Sequence, residues 1–167
     1  MRRILGIDPG SRVTGFGIIE SNGDRSLHIA GGCIRVEGDF PKRLGEIYRG
    51  LSAVVSEHQP DEMAIEQVFM AKNPSSALKL GQARGAAICA CVMADLEVFE
   101  YTPRMIKQAV VGSGAAAKDQ VQHMVKRILN LDGKLAEDES DALAVAIAHA
   151  HSNTTLQRLQ QAKGWGR

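Results

Sequence analysis

The chain has 167 residues, 44% of them hydrophobic and 23% charged, which is ordinary for a single soluble globular domain. It contains no apolar run long enough to cross a bilayer, and its basic start reaches Asp8 before any signal-like apolar stretch develops. These features argue against a membrane protein, and we expect a cytoplasmic protein that makes no membrane contact.

Charge is distributed unevenly along the chain, although the net charge of +1 says nothing about partners. Residues 67–130 carry 8 basic and 4 acidic side chains, whereas residues 131–152 carry 1 basic and 5 acidic ones. A phosphate-binding, metal-dependent site requires such a basic segment beside concentrated acids, but chance would also produce it.

The cysteines Cys33, Cys89 and Cys91 are odd in number, and the last two lie two residues apart on a predicted helix. That spacing points their side chains away from each other. We therefore predict small buried thiols rather than a disulfide or a metal site.

The first part of the chain predicts three strands, at residues 3–8, 14–21 and 27–36. Asp8 is followed by Pro9-Gly10, which predicts a turn, and Asn22-Gly23 is a strong hairpin signal. Strands joined by such short turns should form an antiparallel meander.

The remainder alternates helices and strands. Apolar residues at helical spacing predict a helix over 41–58, and an alternating pattern predicts a strand over 62–66. Asn73-Pro74 starts a helix that runs to about residue 94, a strand follows at 97–102, and Thr102-Pro103 starts a helix that Gly112 ends. Further helices are predicted at 118–130 and 137–151. The order β-β-β-α-β-α-β-α-α-α indicates one α/β domain over residues 1–152, followed by a basic, frayed tail at 153–167.

Four carboxylates occupy positions that a purely structural account does not require. Asp8 ends the first strand and Glu66 the fourth, and ligand sites usually lie at this edge of α/β sheets. Asp138 and Asp141 are three residues apart on one face of the last helix, and small or apolar residues continue that face inward. Each acid alone could be a turn residue, a strand end or a helix cap. Together they predict an all-oxygen site for Mg²⁺ or Mn²⁺, and two such ions are a known arrangement for phosphodiester hydrolysis.

Three motifs carry a resemblance to a known family: Ile-Leu-Gly-Ile-Asp-Pro-Gly-Ser-Arg-Val-Thr-Gly at residues 4–15, Ala-Ile-Glu-Gln-Val-Phe-Met-Ala-Lys-Asn at 64–73, and Asp-Glu-Ser-Asp-Ala-Leu-Ala at 138–144. With them the chain resembles the ribonuclease H-like superfamily and, within it, the RuvC family of crossover junction endodeoxyribonucleases, over nearly its whole length. The resemblance implies an α/β fold whose five-stranded mixed sheet has three antiparallel strands, then two parallel ones, flanked by helices. It also implies that Asp8, Glu66, Asp138 and Asp141 are catalytic metal ligands for two Mg²⁺ ions per subunit, with Mn²⁺ as a substitute.

The same resemblance implies a function. We expect a homodimer that resolves four-way (Holliday) junction DNA by paired symmetric nicks, leaving 5′-phosphate ends, in homologous recombination and DNA repair. RuvA and RuvB, the branch-migration proteins, are the implied partners.

Several residues around the acids are candidates for DNA contact. Phe69 follows Glu66 by three residues, where an aromatic ring could stack on an unpaired base or anchor the loop. Lys107 and Lys118 match basic positions of the family that are linked to the DNA backbone and to catalysis. For the remaining candidates a solvated charge is an equally good interpretation, and these are Arg12, Lys72, Lys79 and Arg84. His149 and His151 fit packed or surface histidines better than ligands.

Two questions stay open at this point. The helix at 75–94 is rich in small residues and could form the dimer interface or pack on its own sheet. Two other functions are conceivable. A nucleotide-binding phosphotransferase of the actin and sugar-kinase type needs two such domains, which 167 residues do not supply. A non-catalytic junction-binding module would not need four intact ligands.

Overall fold

The structure, a computed structural model, describes the backbone of residues 1–68 and 73–164 and their side chains as far as Asn153. The strands are β1 (Arg2–Asp8), β2 (Val13–Ser21), β3 (Ser26–Arg35), β4 (Glu62–Glu66) and β5 (Glu97–Tyr101). The helices are α1 (Phe40–His58), α2 (Pro74–Val92), α3 (Pro103–Val111), α4 (Lys118–Leu129) and α5 (Glu137–Gly164). The predicted order of elements is confirmed.

The five strands form one mixed sheet in the order β3-β2-β1-β4-β5. β1 and β2 are antiparallel, as are β2 and β3, whereas β1, β4 and β5 run parallel to one another. This is the sheet that the resemblance implied. Because Ile7 pairs with Ile65 in the parallel ladder of β1 and β4, Asp8 and Glu66 leave the sheet side by side at the same edge.

Side chains alternate along the central strand, so that each face of the sheet has its own core. Leu5 and Ile7 point to the layer formed by α1 and α2, whereas Ile4 points to the layer formed by α3, α4 and α5. All of these side chains are buried. A sheet covered on both faces explains why β1 reads as a continuous apolar run.

Helix α5 lies unusually close to the sheet, and three glycines on β1 and β2 make this possible. A Cβ on Gly6 would stand 2.1 Å from the carbonyl oxygen of Ala142, and one on Gly15 would stand 2.0 Å from that of Asp138. A Cβ on Gly17 would meet the Leu143 side chain at 2.5 Å. The first turns of α5 are therefore seated on the glycines of β1 and β2.

The helix starts follow the predicted chemistry. The Asn73 side chain accepts hydrogen bonds from the amides of Ser75 and Ser76, and Thr102 accepts one from Met105. Gly112 ends α3 with a positive φ of 86°.

The predicted end of the last helix at about residue 151 was wrong, because α5 continues to Gly164. Its second half contains Leu, Gln, Arg and Ala without a proline, and these residues favour a helix even where little is apolar. The division into a domain at 1–152 and a tail at 153–167 stays a prediction. No helix in the described part of the chain is long and apolar enough to span a membrane.

Candidate active site

One cleft at the carboxyl edge of the parallel strands collects the predicted acids. Its volume is about 390 Å³, and its acidic and basic lining residues are Asp8, Glu66, Asp138, Asp141, Lys107 and Lys118. Asp8 comes from β1 and Glu66 from β4, while the two remaining acids come from the first turns of α5. Ile106, Val121 and Ala144 supply apolar walls. The four carboxylates thus converge from three separate segments of the chain.

Burial and mutual repulsion make these carboxylates costly to ionise. Burial, together with the neighbouring charges of Asp141, Glu66 and Asp138, raises the pKa of Asp8 to about 7. Burial and the charge of Asp141 also raise the pKa of Glu66, and burial raises the pKa of Asp141. Because negative charge is energetically costly in this cleft, a bound cation would stabilise the ionised carboxylates.

Two lysines supply part of that compensation. Lys118 Nζ donates a hydrogen bond to Glu137 and forms an ion pair with Asp141 Oδ2 at 2.9 Å, and these contacts raise the pKa of Lys118. Lys107 lies half-buried in the cleft wall, and both lysines oppose the rise in the pKa of Glu66. The cleft therefore joins a carboxylate group to two ammonium groups, which suits the binding of a phosphodiester.

The donor set fits a hard divalent cation. Carboxylate oxygens are the ligands that Mg²⁺ and Mn²⁺ prefer, and the raised pKa values of three of the acids indicate charge that a cation would neutralise. As the acids are placed, no three His, Cys, Asp or Glu side chains in the described residues are grouped tightly enough to hold a metal ion.

Comparison with known proteins identifies the family. A family profile described as crossover junction endodeoxyribonuclease RuvC matches residues 4–149. A protein of that description from Alkalilimnicola ehrlichii is 56% identical over 97% of this chain and 99% of its own length, and one from Vibrio cholerae is 59% identical over 93% and 91%. The structure of T. thermophilus RuvC in complex with a Holliday junction substrate has a TM-score of 0.87 and 31% identity, covering 92% of this chain and 95% of that one.

The chain belongs to the RuvC family. This confirms the predicted family, the ribonuclease H-like fold and the enzyme class, a crossover junction endodeoxyribonuclease. RuvC-family enzymes are metal-dependent nucleases, which agrees with the acidic cleft. The described parts of the three motifs adjoin the cleft: the first motif runs from β1 into β2, the second starts in β4, and the third opens α5.

Not every residue expected at a RuvC site can be placed. Phe69 and Lys72 lie outside the described residues. Arg12 is exposed in the turn between β1 and β2, and Lys79 is exposed on α2 with its ammonium 5.9 Å from the centre of the Phe40 ring. Arg84 is turned inward, where it contacts Glu66 and Glu100. DNA contacts by these residues stay predictions.

His149 is a packed histidine, as the sequence favoured. It is fully buried, its Nδ1 accepts from the Tyr101 hydroxyl at 2.7 Å, and its Nε2 donates to Glu62 Oε2 at 2.6 Å. Burial lowers the pKa of His149, which favours the neutral ring. A neutral ring protonated on Nε2 fits both contacts. His151 lies 3.0 Å from the carbonyl oxygen of Ala109.

Two contributors to the site were missed by sequence reasoning. Gly15 fixes the depth of α5, and in the sequence it is only one residue of the predicted strand at 14–21. Glu137 shares the Lys118 ammonium with Asp141. Its position one residue before the acidic pair was the available signal, but it also suits an ordinary first-turn acid.

Proposed function

We propose that this chain resolves Holliday junctions by hydrolysing phosphodiester bonds, with Asp8, Glu66, Asp138 and Asp141 as ligands of divalent metal. The observation that carries the proposal is the convergence of these four carboxylates with Lys107 and Lys118 in one cleft of a RuvC-family fold. Membership of a family of junction endonucleases supports four-way junction DNA as the substrate. Mg²⁺ is the proposed ion, two per subunit, with Mn²⁺ able to replace it.

The bound metal would supply an activated water and stabilise the charge of the leaving 3′-oxygen. The chain's own residues do the rest. Asp8 lies on the central strand between Glu66 and α5, so it would be the central ligand of the metal site. Lys118 and Lys107 face the same space, where their charges hold the scissile phosphate. Phe69 is proposed to stack on an unpaired base near the branch point.

A resolvase cuts two strands, so one cleft is insufficient for the whole reaction. We propose a homodimer that carries two clefts and makes paired symmetric nicks that leave 5′-phosphate ends. Work alongside RuvA and RuvB in recombination and repair, and a cytoplasmic location, belong to the same proposal. Gel filtration with light scattering at low micromolar protein should give the dimer mass, and a clean monomer would refute this part.

The central experiment uses a synthetic mobile four-way junction beside a linear duplex of the same sequence. We expect paired symmetric nicks in the junction alone, and their loss in EDTA or in Asp141→Asn. Equal cutting of the duplex would retain a nuclease but reject junction selectivity. Tight binding without any cut would favour a non-catalytic junction-binding module.

Asp8→Asn separates binding from cleavage. The substitution keeps the size of the side chain and removes the charge that the metal requires, so junction affinity should persist while cleavage is lost. Gel-shift and cleavage assays on the same junction measure both. Retained cleavage in Asp8→Asn would refute the central role of this carboxylate.

A further inference from the structure

Arg84 ties helix α2 to the catalytic edge of the sheet. Its side chain is only 17% exposed. The Nε atom donates to the backbone carbonyl of Glu66 at 3.2 Å, and Nη2 lies 3.0 Å from Glu100 Oε2, an ion pair without hydrogen-bond geometry. One guanidinium therefore reaches the last residue of β4 and a residue of β5 together. This inward arrangement removes it from the open surface on which phosphate contacts are made.

The contact with Glu66 supplies a hydrogen bond that the sheet does not provide. On the β5 side the ladder continues past Glu66, since the Gln67 amide donates to the Tyr101 carbonyl at 2.8 Å. On the β1 side the last pair is Ile7 with Ile65, and the next donor position in β1 falls at Pro9, which has no N–H. A carbonyl at this level needs another donor, and the Arg84 guanidinium is that donor.

We propose that Arg84 is a positioning residue for Glu66. By holding the Glu66 carbonyl, it fixes the backbone from which the carboxylate enters the cleft and so the direction in which that carboxylate meets the metal. Glu100 in turn orients the guanidinium. The inference rests on the proposed role of Glu66 as a metal ligand.

The test compares Arg84→Gln with Arg49→Gln, an exposed arginine on α1 that serves as the matched control. Three quantities are measured: Mn²⁺ affinity without DNA by calorimetry, junction affinity in EDTA, and the single-turnover cleavage rate at saturating protein. Loss of a residue that orients a metal ligand typically costs about 10–100-fold in metal affinity or activity. For Arg84→Gln we expect losses of that order in Mn²⁺ affinity and in cleavage rate. Its junction affinity should stay within about twofold of that of the unsubstituted protein, because the assay in EDTA contains no metal and does not depend on how the metal ligand is oriented.

Two further variants refine the result. Arg84→Lys keeps a charge, but a single ammonium cannot span Glu66 and Glu100 together, so its losses should be intermediate. Glu100→Gln removes the ion pair with Arg84 and leaves the bond from Arg84 to the Glu66 carbonyl. It should therefore lower Mn²⁺ affinity and cleavage rate by less than Arg84→Gln does. If Arg84→Gln does not fold, these two variants decide, and unchanged metal affinity and rate in both would overturn the proposal.

Other outcomes are equally decisive. Weaker junction binding by Arg84→Gln with an unchanged saturated rate and metal affinity would make Arg84 a phosphate contact and overturn the proposal. Glu66→Gln is assayed in parallel. If it still cleaves, the proposed function itself fails; if it is inactive while Arg84→Gln is normal, only the positioning role fails.

Discussion

Gly15→Ala tests whether the seat of α5 on the sheet controls the active site. The added methyl carbon would stand 2.0 Å from the carbonyl oxygen of Asp138, whereas ordinary van der Waals contact begins at 3.4 Å. The carbonyl must therefore retreat by about 1.4 Å, the difference between these two distances. The Asp138 carbonyl oxygen belongs to the backbone, and the added methyl carbon is bonded directly to the backbone of β2, so no flexible side chain can absorb the movement. The retreat carries the Asp138 carboxylate away from Asp8.

The expected consequence is large for catalysis and moderate for stability. A misplacement of about 1 Å costs on the order of 100-fold in rate, and overpacking a core costs about 1–3 kcal/mol. Single-turnover cleavage of a four-way junction measures the first, and urea denaturation measures the second. We expect the cleavage rate of a variant that still folds to be lower by about 100-fold or more.

Gly31→Ala is the matched control for this prediction. It adds the same methyl group under the same turn of α5, but the nearest atom is Oε1 of Glu139 at 2.5 Å, the far end of a flexible side chain that can move aside. Its cleavage rate should stay within about threefold of the unsubstituted protein, since rotating one side chain leaves the carboxylates in place. A folded Gly15→Ala that cleaves as fast as Gly31→Ala would refute the reasoning.

Three further predictions concern the packed histidine and α2. Tyr101→Phe removes the donor to the buried His149 ring and should cost about 1–3 kcal/mol in urea denaturation without slowing cleavage; an unchanged midpoint would contradict this. Because burial lowers the pKa of His149 below its ordinary 6.5, the unfolded chain takes up a proton before the folded one does as pH falls. The free energy of unfolding should therefore drop below pH 6.5, and this component should be absent in His149→Gln; equal slopes would refute it. Leu78 is 70% exposed on α2, so Leu78→Glu should convert the proposed dimer to a monomer in light scattering, and a persistent dimer would exclude this face.

The sequence was sufficient for elements whose pattern has one period and clear ends. β1 could be placed because its apolar run stops at Asp8-Pro9-Gly10, and α2 because Asn73-Pro74 is an N-cap followed by a first-turn proline. The end of α5 could not be placed in the same way. Its apolar face fades after the core, and this loss of amphipathicity predicts the end of the helix, but helix-forming residues continue without a stop signal.

The four acids could be grouped from the sequence because strand ends and helical spacing are local properties. Asp8 and Glu66 each follow a buried strand, and Asp138 and Asp141 share a helical face, so convergence required only that β1 and β4 be parallel neighbours. What brings α5 close enough is a different kind of information. It depends on which glycines of the meander face the helix, and Gly6 and Gly15 cannot be told from ordinary strand glycines until the helix is placed over them.

Arg84 is another residue whose role cannot be predicted from the local sequence. In sequence it is one of several basic residues for which a phosphate contact and a solvated charge are equally good interpretations. Its orientation is decided by two groups remote in sequence, a carbonyl opposite a proline and a carboxylate on the neighbouring strand. A basic residue near an active site thus has two uses, attraction of the substrate or support of the ligands. Its burial and partners, which no local pattern encodes, point to the second use for Arg84.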